Sequence, residues 1–387
     1  MRTDIKLTVA IPYKRRLDNL RIALEGLANQ TLDSSEFEVV VGAMEYSDTY
    51  ISTCREFTHL INLVSVVSSQ EFAIPRARNL AMRQASGQIL VQMDADTLLP
   101  PTALENLYDR HFSFGQNVCV VGQVFGYGNN NDGNVESVEV LPYAHYQKFL
   151  DELWRVGDEP LDPRFTVSHV IPWAFAWTGL IALPMETIRR CELFFDEDFH
   201  GWGVDDLEWG YRISASGIPI VLREDVYALH LPHTRNMAAN QETERANYRR
   251  FLRKWPAPDV ELAHAVGDVA ANSRFLDFQR ELRRCSGGPG RVVGTVRGPI
   301  GGTDVAVVGV VLDAEHCIVD PDIVSLFDDR SCIEILPLAG LALPYDDGSV
   351  AECRVLPGVA GFSAPYWNAV RTEVARIAKR VILPTTG

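Results

Sequence analysis

Two aspartates, Asp94 and Asp96, follow a short apolar segment at residues 89–93. If that segment is a buried strand, an extended chain would direct both carboxylates to one side, where they could share a cation. Carboxylate oxygens suit Mg²⁺ or Mn²⁺, and such an ion neutralises the charge of a diphosphate leaving group. The alternative is that both residues only cap a turn, since an isolated Asp-x-Asp pattern is common.

A second acidic group stands in the sequence Gly201-Trp-Gly-Val-Asp-Asp-Leu-Glu208. It combines a glycine turn, an indole ring and three carboxylates at the start of a helix predicted from residue 206 to about 216. A carboxylate there could accept a proton from an attacking hydroxyl group. The positive end of the helix dipole would favour its ionised form. An ordinary N-cap role is the alternative.

An aromatic run precedes this segment, with Trp173, Phe175 and Trp177 at a spacing of two. A period of two predicts a strand with all three rings on one face. The rings could belong to the sheet core. Alternatively, Trp173 or Trp177 could form an apolar platform for an acceptor sugar ring.

The elements that would position these residues alternate between strand and helix. Strands are predicted at residues 5–11, 37–42, 61–67 and 89–93, with amphipathic helices between them. Gly87 is predicted to be a left-handed helix stop. This alternation predicts an α/β fold with a mostly parallel, doubly wound sheet. Ligands bind beyond the carboxyl ends of such strands, and those ends carry Pro12, Tyr13, Glu45, Asp48, Asp94 and Asp96.

The run Pro75-Arg-Ala-Arg-Asn79, followed by Ala85 to Asp96, resembles the "ARN…A.G…DAD" pattern of family 2 glycosyltransferases and their GT-A relatives. The resemblance extends from residue 9 to about residue 233. It implies a Rossmann-like GT-A fold that binds a nucleotide sugar. The donor-binding positions implied are Pro12, Tyr13, Glu45, Asp48, Arg78, Asn79, Asp94, Asp96 and Trp202. For Arg78, a structural salt bridge is the alternative.

The segment from Gly201 to Asp206 is similar to the "GWGGED" segment of galactosyltransferases, polypeptide N-acetylgalactosaminyltransferases and chondroitin-polymerase-type enzymes. By position, Asp205 matches the Glu, and Asp206 matches the acid regarded as the catalytic base of inverting members, which implies a catalytic role for both. Val204 replaces the second glycine. Related "GWGG" enzymes include retaining members, so that outcome stays open. Related enzymes also supply a histidine ligand to the metal, which implies this role for His230, His233 or both; surface histidines are the alternative.

The composition narrows the class of partner. The chain has 387 residues and a formal net charge of −15, which argues against nucleic acid as the main partner. Its seven cysteines form no CxxC pair and are odd in number, which favours a reducing compartment, and we expect a cytoplasmic protein. Residues 1–11 are predicted to be a first strand and not a signal peptide. No stretch approaches the roughly 20 apolar residues of a transmembrane helix.

Three regions are predicted along the chain: a GT-A catalytic domain at 1–262, a helical segment and linker at 263–289, and a small α/β domain at 290–387. The third faintly resembles the latter half of class I methyltransferases, but the glycine-rich cofactor loop of that family is missing. It could serve acceptor binding or homo-oligomerisation. The turn-rich stretch at residues 126–133 could be a lid or a surface connection.

The function predicted from these features is hexosyl transfer from a nucleoside diphosphate sugar, with UDP favoured, to a hydroxyl or similar acceptor. Mn²⁺ or Mg²⁺ would be the cofactor, and Asp206 the base of an inverting displacement. Two alternatives stay open at this point. One is a non-catalytic nucleotide-sugar-binding module, and the other is a methyltransferase that uses AdoMet.

Overall fold

In the computed structural model, which describes residues 5–126, 135–156 and 163–384, the chain divides into two compact units. The first unit comprises Met1–Val167 and Pro172–Asn247, and the second comprises Ser168–Ile171 and Tyr248–Gly387. The domain limits at residues 262 and 290 stay a prediction. The turn-rich stretch lies outside the described residues, apart from Gly126.

The first unit alternates strands and helices along its first hundred residues, as predicted. Its strands are β1 (Leu7–Tyr13), β2 (Phe37–Ala43), β3 (Asn62–Val67), β4 (Ile89–Met93), β5 (Thr97–Leu98), β6 (Cys119–Phe125), β7 (Leu180–Pro184) and β8 (Ile220–His230). Its helices are α1 (Leu17–Ala28), α2 (Asp48–Phe57), α3 (Ile74–Met82), α4 (Ala103–His111), α5 (Tyr143–Val156), α6 (Met185–Arg190) and α7 (Asp205–Ala215), and α8 (Met237–Lys254) runs through the unit boundary.

These eight strands form one sheet in the order β3-β2-β1-β4-β7-β6-β8-β5. β1 to β4 are parallel to one another, and β6 is parallel to β8, whereas β7 and β5 pair antiparallel with their neighbours. β2 and β4 are buried at every position, as expected for strands covered on both faces. The carboxyl ends of β1, β2 and β4 therefore meet at one edge, next to the acidic turn after β4.

Two glycines permit close approach between elements of this unit. A Cβ atom at Gly42 would lie 2.1 Å from the carbonyl oxygen of Ala77, so α3 packs directly on β2 there. At Gly87, a Cβ atom would lie 2.7 Å from the backbone of β1. The left-handed helix stop predicted for Gly87 is wrong, because α3 ends at Met82 and Gly87 is not among the residues with positive φ.

The second unit has its own five-stranded sheet, in the order β11-β9-β10-β12-β13. The strands are β9 (Val292–Ile300), β10 (Thr303–Leu312), β11 (Glu334–Leu336), β12 (Val350–Val355) and β13 (Ala378–Ile382). The helices are α9 (Pro258–Val266), α10 (Asp268–Ser286), α11 (Pro321–Ser325), α12 (Pro357–Ala360) and α13 (Ala364–Ile377). Gly301 and Gly302, both at positive φ, form the hairpin turn between β9 and β10, and their N–H groups donate to Asp328.

The predicted α/β class, with a mostly parallel sheet followed by a smaller α/β unit, is confirmed. The strand predicted for the aromatic run is wrong. Pro172–Phe175 is a 3₁₀ helix whose rings at Trp173 and Phe175 are 2% and 0% exposed. Among the described helices, none is both long and apolar enough to cross a membrane.

Candidate active site

The two aspartates of the first motif lie on a tight turn and not on an extended chain. β4 ends at Met93, and the Thr97 N–H donates to the Asp94 carbonyl at 3.1 Å, which closes the turn. The expected geometry, with both carboxylates on one side of a strand, is therefore wrong. The Asp94 side chain is 29% exposed and the Asp96 side chain 0% exposed, so the turn places the two acids in different surroundings.

The strand pairing after this turn brings the two histidines to Asp96. β5 pairs antiparallel with the end of β8, in the register Thr97 with His230. The Leu231 N–H donates to the Asp96 carbonyl at 2.7 Å, and this hydrogen bond extends the pairing by one step. On α1, the Asn19 amide donates to the Pro232 carbonyl at 3.0 Å and fixes the loop that carries His233.

Asp96, His230 and His233 form a buried cluster whose potential ligand atoms lie within 4.8 Å of one another. His230 Nε2 is 3.8 Å from Asp96 Oδ1, and His233 Nε2 is 3.4 Å from Asp96 Oδ2. Oδ1 of Asp96 is buried and accepts no hydrogen bond from any residue that the structure describes. A buried carboxylate oxygen without a donor suits a cation ligand.

The hydrogen bonds of His233 determine which of its nitrogens can coordinate. Nδ1 lies 2.8 Å from the Thr234 carbonyl, which can only accept, so Nδ1 carries the proton. Nε2 is then the acceptor in the neutral ring; it accepts from Arg235 Nε at 3.2 Å and lies 3.4 Å from Asp96 Oδ2. A backbone carbonyl that fixes the tautomer of a histidine in this way is typical of metal-binding imidazoles.

The charges in the cluster perturb one another. Burial would raise the pKa of Asp96, but Arg16, His230 and His233 hold it below its ordinary value. Burial lowers the pKa of His230 and lowers that of His233 to about 4, although Asp96 opposes both shifts. Both imidazoles are therefore neutral near pH 7, which is the form that binds a metal ion.

Arg16 is a residue of this cluster that the sequence patterns did not single out. It lies in the short connection between β1 and α1 as the N-cap residue of α1, and its Nη1 donates to Asp96 Oδ2. The available signal was the run Lys14-Arg15-Arg16 at the carboxyl end of a predicted strand. Three consecutive cations at the ligand-binding edge of a sheet indicate a place for an anion.

A second arginine joins the two acidic motifs. Arg78, on α3, is 5% exposed, and its guanidinium donates to Asp205 and, at 3.1 Å, to Asp94. These carboxylates, together with Asp206, raise the pKa of Arg78 against the opposing effect of burial. Burial raises the pKa of Asp205, although the positive charge of Arg78 opposes that shift. The salt bridge considered for Arg78 is thus present, and it brings the start of α7 beside the turn after β4.

The start of α7 has an unusual backbone. Gly201, Gly203 and Val204 all have positive φ, and Val204, at φ 74°, is the N-cap residue. Left-handed backbone is rare for a β-branched residue. Asp205 and Asp206 are the first two helical residues, so the N-cap role considered for them is wrong. Asp206 is half-buried, whereas Asp205 is buried.

Trp202, at the tip of this turn, is 44% exposed. Its backbone N–H donates to Thr243 Oγ1 of α8 at 3.1 Å, and its carbonyl accepts from the same hydroxyl group. These two hydrogen bonds anchor the Trp202 backbone to α8, and the ring remains exposed at the surface. This position is compatible with a sugar or nucleotide contact, and the role stays a prediction.

The other predicted donor residues lie near the carboxyl ends of β1, β2 and α3. Asn79 is 1% exposed, and its amide is occupied by Phe195 and Glu197. Tyr13 is buried and stacks on Tyr50, with ring centroids 4.5 Å apart. Burial raises the pKa of Tyr13 to about 12. The remaining three are more open: Pro12 and Glu45 are half-buried, and Asp48 is exposed in the first turn of α2.

The two tryptophans considered for the acceptor differ in exposure. Trp173 is 2% exposed and meets the Tyr211 ring of α7 edge-on at 5.6 Å, as expected of a core residue. Trp177 is half-buried, with the Arg164 guanidinium 4.1 Å from its ring centroid. Of the pair, only Trp177 keeps an exposed edge that a ligand could contact.

Comparison with known proteins finds one matching domain family and several relatives. Residues 8–162 match the family described as Glycosyl transferase family 2. The validoxylamine A glucosyltransferase of Streptomyces hygroscopicus subsp. jinggangensis is 31% identical over 278 residues, which cover 67% of this chain and 63% of the relative. The uncharacterized glycosyltransferase YfnE of Bacillus subtilis is 25% identical over 265 residues, which cover 60% of this chain and 66% of the relative.

The chain spans 63% and 59% of the lengths of the two validoxylamine A glucosyltransferases that it matches. Among solved structures, the Staphylococcus aureus TarS 1–349 complex with UDP-GlcNAc aligns with a TM-score of 0.48 and 16% identity, covering 73% of each chain. The matched family covers the β1–β4 strands and the turn that carries Asp94 and Asp96. Residues 8–162 of this chain therefore carry a glycosyl transferase family 2 domain.

Proposed function

We propose that this protein is a hexosyltransferase that moves a sugar from a nucleoside diphosphate sugar to a hydroxyl group of an acceptor. The observation that carries the proposal is the convergence of three segments at one edge of the sheet. Arg78 joins Asp94 to Asp205 at the start of α7, and Asp96 lies against His230 and His233. The match of residues 8–162 to glycosyl transferase family 2 supports the same reaction class.

Asp96, His230 and His233 would hold a divalent cation. The absence of a described donor to Asp96 Oδ1, which His230 Nε2 faces, supports this assignment, and so do the His233 Nε2 atom near Oδ2 and the neutral state of both imidazoles. Oxygen and imidazole ligands suit Mn²⁺ or Mg²⁺, Mn²⁺ accepting nitrogen more readily. When bound, the ion would neutralise the charge of the departing diphosphate. Asp94 is also predicted to be a ligand, but it lies outside the cluster of three.

Asp206 would take the proton of the attacking hydroxyl group. It is half-buried in the first turn of α7, where the positive end of the helix favours a carboxylate. Asp205 is less suited to this role because it is buried and its carboxylate is held by Arg78. We assign Asp205 to positioning Arg78 and Asp206 to general base catalysis in an inverting displacement.

A UDP-sugar is the proposed donor, and UDP-glucose is the first to test because the relatives at 31% identity are named glucosyltransferases. Validoxylamine A, which their names give as acceptor, is the first acceptor to test. The second unit is proposed to contribute to acceptor binding or to homo-oligomerisation. The cytoplasmic location stays a prediction.

The test measures nucleoside diphosphate release from a panel of UDP- and GDP-sugars, with Mn²⁺, Mg²⁺ or EDTA and with validoxylamine A as acceptor. Asp206→Asn should lower turnover by about 100-fold or more. It should keep the thermal stabilisation that the donor gives the wild type. Asp33→Asn is the matched control, since Asp33 is fully exposed in the turn before the amino end of β2.

Three results would count against the proposal. Wild-type release that is equal in Mn²⁺ and in EDTA would exclude the metal role. Full turnover in Asp206→Asn would exclude Asp206 as the base. A panel in which no nucleotide sugar either stabilises the protein or is consumed would refute the reaction class.

A further inference from the structure

A positively charged group of the protein itself contacts the ligand set described above. Arg16 Nη1 donates to Oδ2 of Asp96, the only ligand of the three that carries a negative charge. Asp96 is 0% exposed, so its negative charge is balanced by neighbouring protein groups and not by solvent. Oδ2 is also the oxygen that lies 3.4 Å from His233 Nε2. A divalent cation coordinated by that oxygen and that nitrogen would therefore meet the Arg16 guanidinium.

A second cation of the protein contacts the same cluster from the segment that follows β8. Nε and Nη2 of Arg235 each lie 3.2 Å from His233 Nε2, the nitrogen left as an acceptor. Arg235 is anchored through its backbone, which pairs with Val135. Arg16 is thus the cation that contacts Asp96, whereas Arg235 contacts His233 and Asp94 is held by Arg78.

Arg16 is the more readily displaced of these two cations. Its side chain is 40% exposed, although its partner is completely buried. The residue before it, Arg15, has a φ of 59° and turns the chain sharply, so that Arg15 points to solvent while Arg16 reaches Asp96. Arg16 belongs to α1 only through its carbonyl, which accepts from the Leu20 N–H at 2.9 Å. Its side chain could therefore move away without disturbing the helix.

We propose that Arg16 is an internal counter-ion, which a divalent cation displaces from Asp96 and which then binds the diphosphate of the donor. This inference rests on the proposed function. Without a nucleotide, the displaced guanidinium would remain near a doubly charged ion and be repelled by it. A diphosphate supplies anionic oxygens to both. Metal and nucleotide should therefore bind cooperatively, and the coupling should depend on Arg16.

The experiment measures Mn²⁺ binding to the full chain from the electron paramagnetic resonance signal of free Mn²⁺, with and without UDP. In the wild type, UDP should tighten Mn²⁺ binding. Arg16→Ala should bind Mn²⁺ about ten-fold more tightly than the wild type when UDP is absent, because the competing hydrogen bond is gone. The tightening by UDP should shrink in that variant.

Two further variants control the charge and the position. Arg16→Lys keeps a cation with fewer donors and should fall between Arg16→Ala and the wild type. Arg15→Ala removes an adjacent charge whose side chain is 80% exposed, and it should match the wild type in Mn²⁺ affinity when UDP is absent. Circular dichroism melts of each variant establish that the comparison is made between folded proteins.

The outcomes separate this inference from the proposed function. If Mn²⁺ binds to the wild type and is lost in His233→Ala, but Arg16→Ala binds no more tightly than the wild type, the counter-ion role is overturned and the metal site stands. If Arg15→Ala changes the affinity as much as Arg16→Ala, general electrostatics explain the effect and the specific role is overturned. If Mn²⁺ binds to no variant, the metal site and the counter-ion role fail together.

Discussion

Replacing Arg78 with methionine should destabilise the first unit by about 3–5 kcal/mol, the cost of breaking a buried ion pair from one side. The side chains of Arg78 and Asp205 are 6% and 7% exposed, so solvent cannot replace the lost partner. Asp94 is 29% exposed and contributes less, because water can solvate it. Methionine keeps an apolar side chain near the Phe195 ring, whose centroid is 5.1 Å from the guanidinium carbon. The loss of folding stability that remains in Arg78→Met is then electrostatic.

The loss should depend on pH with a definite sign. Burial already raises the pKa of Asp205, and Arg78 opposes that shift, so removing Arg78 raises the pKa further. A carboxyl group whose folded-state pKa exceeds its unfolded value binds more protons in the folded state. Stability is then greatest below the unfolded pKa and falls as pH rises through the folded pKa. Arg78→Met should therefore lose more stability relative to the wild type at pH 8 than at pH 5.

The assay is a double-mutant cycle by urea denaturation, with the wild type, Arg78→Met, Asp205→Asn and the double variant. The double variant should be more stable than the sum of the single effects predicts, by about 1–3 kcal/mol, because it leaves no buried charge unpaired. Arg21→Met, which removes an exposed partner of Glu56, is the control and should cost no more than about 1 kcal/mol. An additive cycle, or an Arg78→Met variant as stable as the control at pH 8, would refute the reasoning.

Three further predictions follow from single residues. Burial lowers the pKa of His233 to about 4, so titration calorimetry should show that Mn²⁺ affinity changes by no more than about two-fold between pH 7.5 and pH 6. The free energy of unfolding should fall as pH drops from 6.5 towards 4, because the unfolded chain then binds the proton that the folded histidine excludes. Glu261→Gln should cost about 1–3 kcal/mol in urea denaturation, since the buried carboxylate accepts from the N–H groups of residues 339–341, and exposed Glu315→Gln should cost almost nothing. Val204→Gly should be more stable than Val204→Ala by about 1 kcal/mol in thermal denaturation, because φ is 74° and only glycine avoids the strain; the opposite order would show that this backbone is not left-handed in solution.

Local patterns in the sequence predicted the first half of the first unit well. The leucines of α1 recur at helical spacing, and the observed helix begins at Leu17, the first of them. β4 has the predicted bounds, because a short apolar run between Gly87 and Asp94 has clear limits on both sides. The strand predicted for the aromatic run was wrong because alternation over only five residues is weak evidence for a strand. Those rings pack as a 3₁₀ helix, and Gly210 of α7 lets α7 approach its backbone closely, since a Cβ there would lie 2.9 Å from the Trp173 carbonyl.

The candidate site was predicted as a set of residue types and not as an arrangement. Residue types and spacing named both acidic motifs, and the resemblance to related enzymes implied both histidines. They could not predict that Asp96 would join the histidines while Asp94 would join Arg78. The turn after β4 separates the two acids, and its geometry depends on the pairing of β5 with β8.

The sequence alone determined the α/β class, the order of the strands along the chain and the chemical nature of the site, because these follow from local periodicity and side-chain chemistry. Only the tertiary structure decided which charges meet. Arg16 and Asp96 are 80 residues apart in sequence, and Arg78 and Asp205 are 127 residues apart. No local pattern encodes such pairs, because they form where strands and loops distant in sequence come together at one edge of the folded sheet.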